Sequence, residues 1–113
     1  MIGPRTRAIL APNLIGNAPD WDRIRAIADR HDLRVVEDSC DALGLTLRGT
    51  PTGERADISL TSFALSHIIT AAGTGGMVCV DDDALAGPSA AAAAPGRPGR
   101  RRRRTPCRPF RPP

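Results

Sequence analysis

The stretch Leu33-Arg34-Val35-Val36-Glu37-Asp38 decides the fold, because it is a short β-branched run that ends in two acidic residues. Such a run is typical of a buried strand. Upstream, the apolar stretch Arg7–Leu14 predicts another strand, and Trp21–His31 has apolar residues at helical spacing. A strand, a helix and a strand within about 30 residues form a βαβ unit, which requires parallel pairing and a right-handed crossover. The sequence therefore predicts an α/β fold.

The helix between the two strands has recognisable start signals. Asp20 precedes Trp21 and can cap the first turn, where Asp22 adds a favourable negative charge. Ile24, Ile27 and Ala28 would then face the sheet.

The following part of the chain predicts short elements separated by turns. We expect, in chain order, an extended segment or hairpin arm at Leu43–Arg48, a turn-rich segment at Gly49–Ala56, a strand at Asp57–Phe63, a loop at Ser66–Thr74, a strand at Met77–Val80 and a helix start at Asp81–Leu85. Cys79 lies within an apolar strand and is expected to be a small buried side chain.

Composition divides the 113 residues at about residue 86. Residues 1–86 hold all 12 acidic side chains and 8 Arg, whereas residues 87–113 hold 8 Arg and no acid. Ala, Gly, Pro and Arg fill 23 of these last 27 positions, a composition that predicts a disordered tail. The tail is either an Arg-rich nucleic-acid arm or a frameshifted reading through GC-rich DNA, and we favour the frameshift.

The remaining composition excludes several classes of protein. No apolar run approaches the roughly 18 residues that would span a membrane, and no signal peptide begins the sequence. Three Cys without a C-x-x-C pair indicate a reduced, cytoplasmic protein. All 16 basic residues are Arg, so the sequence contains no Lys and no side chain that could form a Schiff base.

Four side chains could take part in chemistry, and each also has a structural interpretation. Asp38 at a strand end could pair with a cationic ring nitrogen or cap the next turn. Ser62 could hold a phosphate or be an ordinary strand residue. His67 could act as an acid or base, and Cys40 could ligate a metal as thiolate. Spacing alone favours the structural interpretation for each of them.

A family resemblance changes this balance. Its motifs follow one another in the order Val35–Gly44, Gly49–Gly53, Ala56–Ile58, Thr61–His67 and Gly73–Val78. Together they resemble the DegT/StrS-type sugar aminotransferases, which are fold type I pyridoxal-phosphate enzymes acting on nucleotide-linked keto sugars. The resemblance covers roughly residues 5–86. It implies that residues 1–86 form part of the large domain, a mostly parallel sheet with a βαβ unit.

The resemblance also implies roles for individual residues. Asp38 would pair with the pyridine nitrogen of the cofactor and Ser62 would hold its phosphate. Asp41 would lie near the oxygen side of the ring, where many members have Gln. Position 67 is normally the lysine that forms the Schiff base, and here it is His67.

A His-bearing branch of the family is similar: the 3-dehydrases of deoxysugar synthesis. They bind pyridoxamine phosphate noncovalently and use the histidine as base, so that the C3 hydroxyl leaves. By this resemblance the cofactor is pyridoxamine phosphate or pyridoxal phosphate, held without a covalent link. Some of these dehydrases carry an iron–sulfur cluster on four Cys, of which Cys40 resembles the first ligand. This chain cannot complete such a cluster.

We therefore expect part of a nucleotide-sugar dehydrase or aminotransferase, with dehydration by His67 as the preferred reaction. One alternative is a catalytically dead aminotransferase-fold remnant, and another is a nucleic-acid-binding protein that uses its Arg tail. The acidic body and 3% aromatic content argue against nucleic acid as a partner. Family members are several times longer and are typically homodimers, so we expect this chain to be inactive alone and either poorly soluble or partly unfolded.

Overall fold

The computed structural model describes residues 2–70, 72–80 and 85 of the chain. Its regular elements are β1 (Ala8–Pro12), α1 (Trp21–Arg30), β2 (Arg34–Asp38), β3 (Thr46–Leu47), β4 (Thr50–Pro51), β5 (Ile58–Ser62) and β6 (Gly76–Val80). The predictions for residues 81–84 and for the tail 87–113 lie outside the described residues.

Four of the strands form one sheet in the order β1-β2-β5-β6. β1 and β2 are parallel, with Ala8 opposite Arg34 and Pro12 opposite Asp38. β5 is parallel to β2, whereas β6 returns antiparallel to β5. The predicted βαβ unit and the mostly parallel α/β sheet are thus confirmed.

The helix α1 begins where its start signals predicted. The side chain of Asp20 accepts a hydrogen bond of 3.1 Å from the backbone N–H of Arg23, which caps the first turn. The helix ends at Arg30, one residue before the predicted end, because His31 leaves helical geometry and its N–H donates to the carbonyl of Ala28.

The predicted hairpin arm is one half of a small two-stranded sheet. β3 and β4 pair antiparallel through a turn at Arg48 and Gly49, both of which have positive φ. A 3-10 turn at Thr52–Arg55 follows. The guanidinium groups of Arg48 and Arg55 both pair with Asp22, which attaches this hairpin region to the start of α1.

The two faces of the four-stranded sheet are unlike. α1 covers one face and forms the core with side chains that are almost fully buried: Trp21, Ala28, Leu33, Val35 and Ala56. Alternation and register put a second set on the opposite face, here called the open face: Leu10, Val36, Asp38, Ile58, Leu60, Ser62, Val78 and Val80. Leu10 is 62% exposed and Val78 is 66% exposed, so this face is uncovered at both edges.

One sequence prediction is wrong in this sheet. Cys79 was expected to be buried, but it is exposed. It lies on β6 at the sheet edge, opposite Ser59, on the face of the sheet that carries α1. Of the described sheet strands, β1 and β2 contact α1 most, and two strands separate β6 from β1. In the described part of the chain, no helix is long and apolar enough to span a membrane.

Candidate functional site

Asp38 is the last residue of β2, and strand alternation directs its side chain to the open face. Its Oδ1 accepts a hydrogen bond of 3.0 Å from the backbone N–H of Cys40, which fixes the turn that follows the strand. The side chain is half-buried. A carboxylate has about four acceptor positions, so Asp38 retains capacity to accept a hydrogen bond from a ligand.

Ser62 ends β5 on the same face. It lies two residues beyond Leu60, which is opposite Asp38. Standard strand spacings therefore put the Cα atoms of Ser62 and Asp38 at a distance of roughly 8 Å from each other. The Oγ of Ser62 accepts the backbone N–H of Ala64 at 3.1 Å, and its hydroxyl hydrogen can be donated elsewhere. A Cβ on Gly76, opposite Ser62, would lie 2.9 Å from the Thr61 carbonyl oxygen, so glycine permits this close strand approach.

Cys40 links these two residues. Hydrogen bonding to the Asp38 carboxylate, together with partial burial, raises the pKa of the Cys40 thiol, and a backbone hydrogen bond from Ser62 acts in the opposite direction. The raised pKa makes the thiolate form, which a metal would bind, harder to reach. Among residues 2–70, 72–80 and 85, no three His, Cys, Asp or Glu side chains are arranged to hold a metal. Asp41 follows in the same turn and is half-buried.

His67 lies five residues beyond Ser62, in a turn closed by its own N–H, which donates to the carbonyl of Ala64 at 3.0 Å. The imidazole is half-buried, and within the described part of the chain its Nδ1 is buried without a hydrogen-bond partner. Buried polar atoms are nearly always paired, because leaving one unpaired costs about 1–3 kcal/mol. An unpaired ring nitrogen here is consistent with a site whose remaining partner is a ligand.

The structure thus brings Asp38, Cys40 and Ser62 together at the carboxyl ends of two parallel strands, where ligands of open α/β sheets bind. His67 lies on the segment that leaves the same end of β5.

Sequence reasoning missed a buried polar network beneath this site. The indole N–H of Trp21 donates to Asn13 Oδ1 at 2.8 Å, and Asn13 Nδ2 donates to Glu37 Oε1 at 2.7 Å. Ser59 Oγ donates to Glu37 Oε2 at 2.8 Å. Strand alternation gave a usable signal, since it places the side chain of Glu37 on the face opposite Asp38, among core residues.

The sequence model of the DegT/DnrJ/EryC1/StrS aminotransferase family matches residues 1–106, and the chain belongs to this family. This confirms the resemblance seen in the motifs from Val35 to Val78.

Individual relatives agree with this assignment. The chain is 44% identical over 86 residues to GDP-perosamine synthase of Caulobacter vibrioides, which covers 76% of the chain and 23% of the relative. It is 47% identical over 74 residues to dTDP-4-dehydro-2,6-dideoxy-D-glucose 3-dehydratase of Saccharopolyspora spinosa, covering 66% of the chain and 16% of the relative. The chain thus spans less than a quarter of the length of these two relatives.

Solved structures give the same result for the fold. An aminotransferase from Psychrobacter cryohalolentis matches with a TM-score of 0.70 and 38% identity over 74% of the chain and 21% of its own. A Bacillus subtilis protein solved with the bound cofactor PMP matches with a TM-score of 0.67 and 38% identity, over 75% of the chain and 19% of its own. The predicted fold, part of a fold type I aminotransferase domain, is confirmed.

Proposed function

We propose that this chain is part of a pyridoxamine- or pyridoxal-phosphate-dependent enzyme that acts on a nucleotide-linked keto sugar in deoxy- or aminosugar biosynthesis. The proposed reaction is dehydration, with His67 as the base. The proposal rests on His67, which stands where the resemblance expects the family lysine in a sequence that has no Lys. Within the described part of the chain, its buried Nδ1 has no hydrogen-bond partner.

The relatives support the substrate class. They include a GDP-perosamine synthase, a dTDP-sugar 3-dehydratase and a dTDP-sugar transaminase, and all three names contain a nucleotide-linked sugar. One of them, the 3-dehydratase, is named for the reaction proposed here.

The residues present fit the cofactor. Asp38 offers a carboxylate on the open face for a protonated ring nitrogen, and Ser62 offers a hydroxyl hydrogen for a phosphate oxygen. Their separation, roughly two residues along neighbouring strands, would allow one cofactor molecule to reach both, with its ring nitrogen at Asp38 and its phosphate at Ser62. Asp41 is the proposed neighbour of the ring oxygen.

When bound, the cofactor supplies an electron-accepting pyridine ring. Asp38 holds the proton on the ring nitrogen through a charge-assisted hydrogen bond, which keeps the ring cationic. As the base, His67 would accept at an imidazole nitrogen the proton that the reaction releases. It cannot form the covalent link that a lysine amine would form. Asp38 and Ser62 would therefore hold the cofactor by noncovalent contacts.

A titration of the isotope-labelled 113-residue chain with pyridoxamine phosphate tests this proposal. We expect the NMR amide signals of Asp38, Ser62 and His67 to shift together with one dissociation constant. Asp38→Asn should weaken binding by about tenfold, since it removes a charge-assisted pair worth about 1.4 kcal/mol or more.

Pyridoxamine without the phosphate is the control ligand, and Ser62→Ala is its matched variant. The alanine variant should weaken binding of the phosphorylated ligand and leave that of pyridoxamine unchanged. Equal effects on both ligands would show that Ser62 does not bind the phosphate. Shifts elsewhere in the chain, or none at all, would favour a remnant that has lost its cofactor.

A further inference from the structure

We propose that Glu37 is a positioning residue that holds the Asp38 carboxylate in place from the opposite side of the sheet. The inference rests on the proposed role of Asp38. The two residues are adjacent on β2, so their side chains point to opposite faces. Asp38 is on the open face, whereas Glu37 is only 2% exposed, beneath α1.

The Glu37 carboxyl group is fixed at both oxygens. Oε1 accepts from Asn13 Nδ2 at 2.7 Å, and Oε2 accepts from Ser59 Oγ at 2.8 Å. Both donors are uncharged. Burying a carboxyl group costs desolvation free energy, and an apolar side chain at this position would avoid that cost. We therefore infer that Glu37 has a role other than stabilising the fold.

Asn13 transmits the position of Glu37 to the backbone around Asp38. Its second Nδ2 hydrogen is donated to Ser39 Oγ at 2.9 Å, and its backbone N–H is donated to the carbonyl of Asp38 at 2.8 Å. Glu37 therefore orients a side-chain amide that contacts Ser39, the residue after Asp38. The same Asn13 holds the Asp38 carbonyl through its backbone N–H. On the other side, the N–H of Ser39 donates to the carbonyl of Leu60 at 2.8 Å.

The network has little freedom to rearrange. The indole of Trp21, which is fully buried, occupies the remaining acceptor side of Asn13 through a 2.8 Å hydrogen bond to Oδ1. A Cβ on Gly53 would lie 2.9 Å from Ser59 Oγ and 3.1 Å from Glu37 Oε2, so the loop packs directly on the carboxyl group. A rigid support of this kind is what a site residue needs, because small displacements weaken charge-assisted contacts.

Variants of the full chain test the inference. Glu37→Ala leaves Asn13 and Ser59 without their acceptor, and we expect hydrogen exchange at the amides of Ser39 and Cys40 to rise about tenfold or more. The side-chain carboxyl ¹³C signal of Asp38 should also move. Glu37→Gln should restore both, since its oxygen can accept from Asn13 and its amide can donate to Ser59 Oγ.

Two further variants distinguish a local effect at Asp38 from general unfolding of the chain. Ser59→Ala removes one donor only and should move the Asp38 carboxyl signal in the same direction by less. Glu54→Gln, at an exposed acid on the neighbouring 3-10 turn, is the matched control and should change nothing at Asp38. An unchanged Asp38 signal in Glu37→Ala, a uniform loss of protection across α1 and β5, or no restoration by Gln would each overturn the inference.

Cofactor binding separates this inference from the proposed function. If the wild-type chain binds pyridoxamine phosphate, Glu37→Ala should weaken binding about tenfold and Glu37→Gln by less than about threefold. If the wild-type chain does not bind it, the proposed function fails, and the Asp38 signal still decides whether Glu37 positions that carboxylate.

Discussion

At the scale of single residues, Asp57 shows how one carboxylate stabilises the start of the sheet. Its Oδ2 accepts the backbone N–H of Val35 at 2.7 Å and pairs with the Arg25 guanidinium at 3.0 Å. Burial acts to raise the pKa of Asp57, but the hydrogen bond from Val35 and the pairing with Arg25 outweigh it, and the pKa is lowered. Asp57 therefore connects β2 and α1 just before β5 begins.

Replacing Asp57 with Asn should make the amide hydrogen of Val35 exchange about tenfold faster, because the charge-assisted part of this contact is lost. The effect should depend on pH. A carboxylate with a lowered folded pKa contributes stability above the unfolded value of about 3.9, and this contribution is lost as pH falls through the lower folded pKa.

Acid unfolding of the two proteins, followed by circular dichroism, gives the second measurement. The stability difference between wild type and Asp57→Asn should be full near pH 7 and should shrink below about pH 4. A difference that stays constant down to about pH 2 would show that the charge of Asp57 is irrelevant.

At the scale of elements, the sequence predicted the helices and strands that short-range signals determine. The cap at Asp20 and the apolar spacing up to Ala28 defined α1 to within one residue, because helix signals act over three or four positions. β2 was likewise recognisable as a short β-branched run, and β5 as an alternating segment. Local patterns do not specify which faces become covered, and for that reason the exposure of Cys79 on β6 was not predicted.

The candidate site was only partly accessible from the sequence. Spacing alone favoured structural interpretations for Asp38, Ser62 and His67, and the family motifs supplied their proposed roles. The two hydrogen bonds that Glu37 accepts join residues 24 and 22 positions apart, so no local pattern contains them. Strand alternation alone separates Glu37 from Asp38, but only the register of β2 against β5 shows that Glu37 lies opposite Ser59.

At the scale of the whole molecule, the open face is the dominant feature. Parallel sheets are normally covered on both faces, whereas here α1 covers one and Leu10 and Val78 are exposed on the other. The chain also spans less than a quarter of the length of the first two relatives described above. We propose that further segments of the longer proteins cover this face.

The isolated chain should therefore unfold over a broad temperature range and bind a hydrophobic dye already at room temperature. Leu10→Lys and Val78→Lys should each reduce dye binding and precipitation, because they place a charge on the uncovered face. Ile2→Lys, at an exposed residue outside the sheet, is the control. A sharp, cooperative transition without dye binding would contradict this expectation.

If residue 67 faces the cofactor, His67→Lys should place an amine where pyridoxal phosphate can react with it. The chain has no Lys, so after incubation with pyridoxal phosphate and borohydride reduction the wild type can be labelled only at its N-terminal amine. We predict that the variant is labelled at residue 67 as well, that peptide mass spectrometry locates this label, and that Asp38→Asn in the same variant reduces it. A variant labelled only at its N-terminus, as the wild type is, would contradict the account.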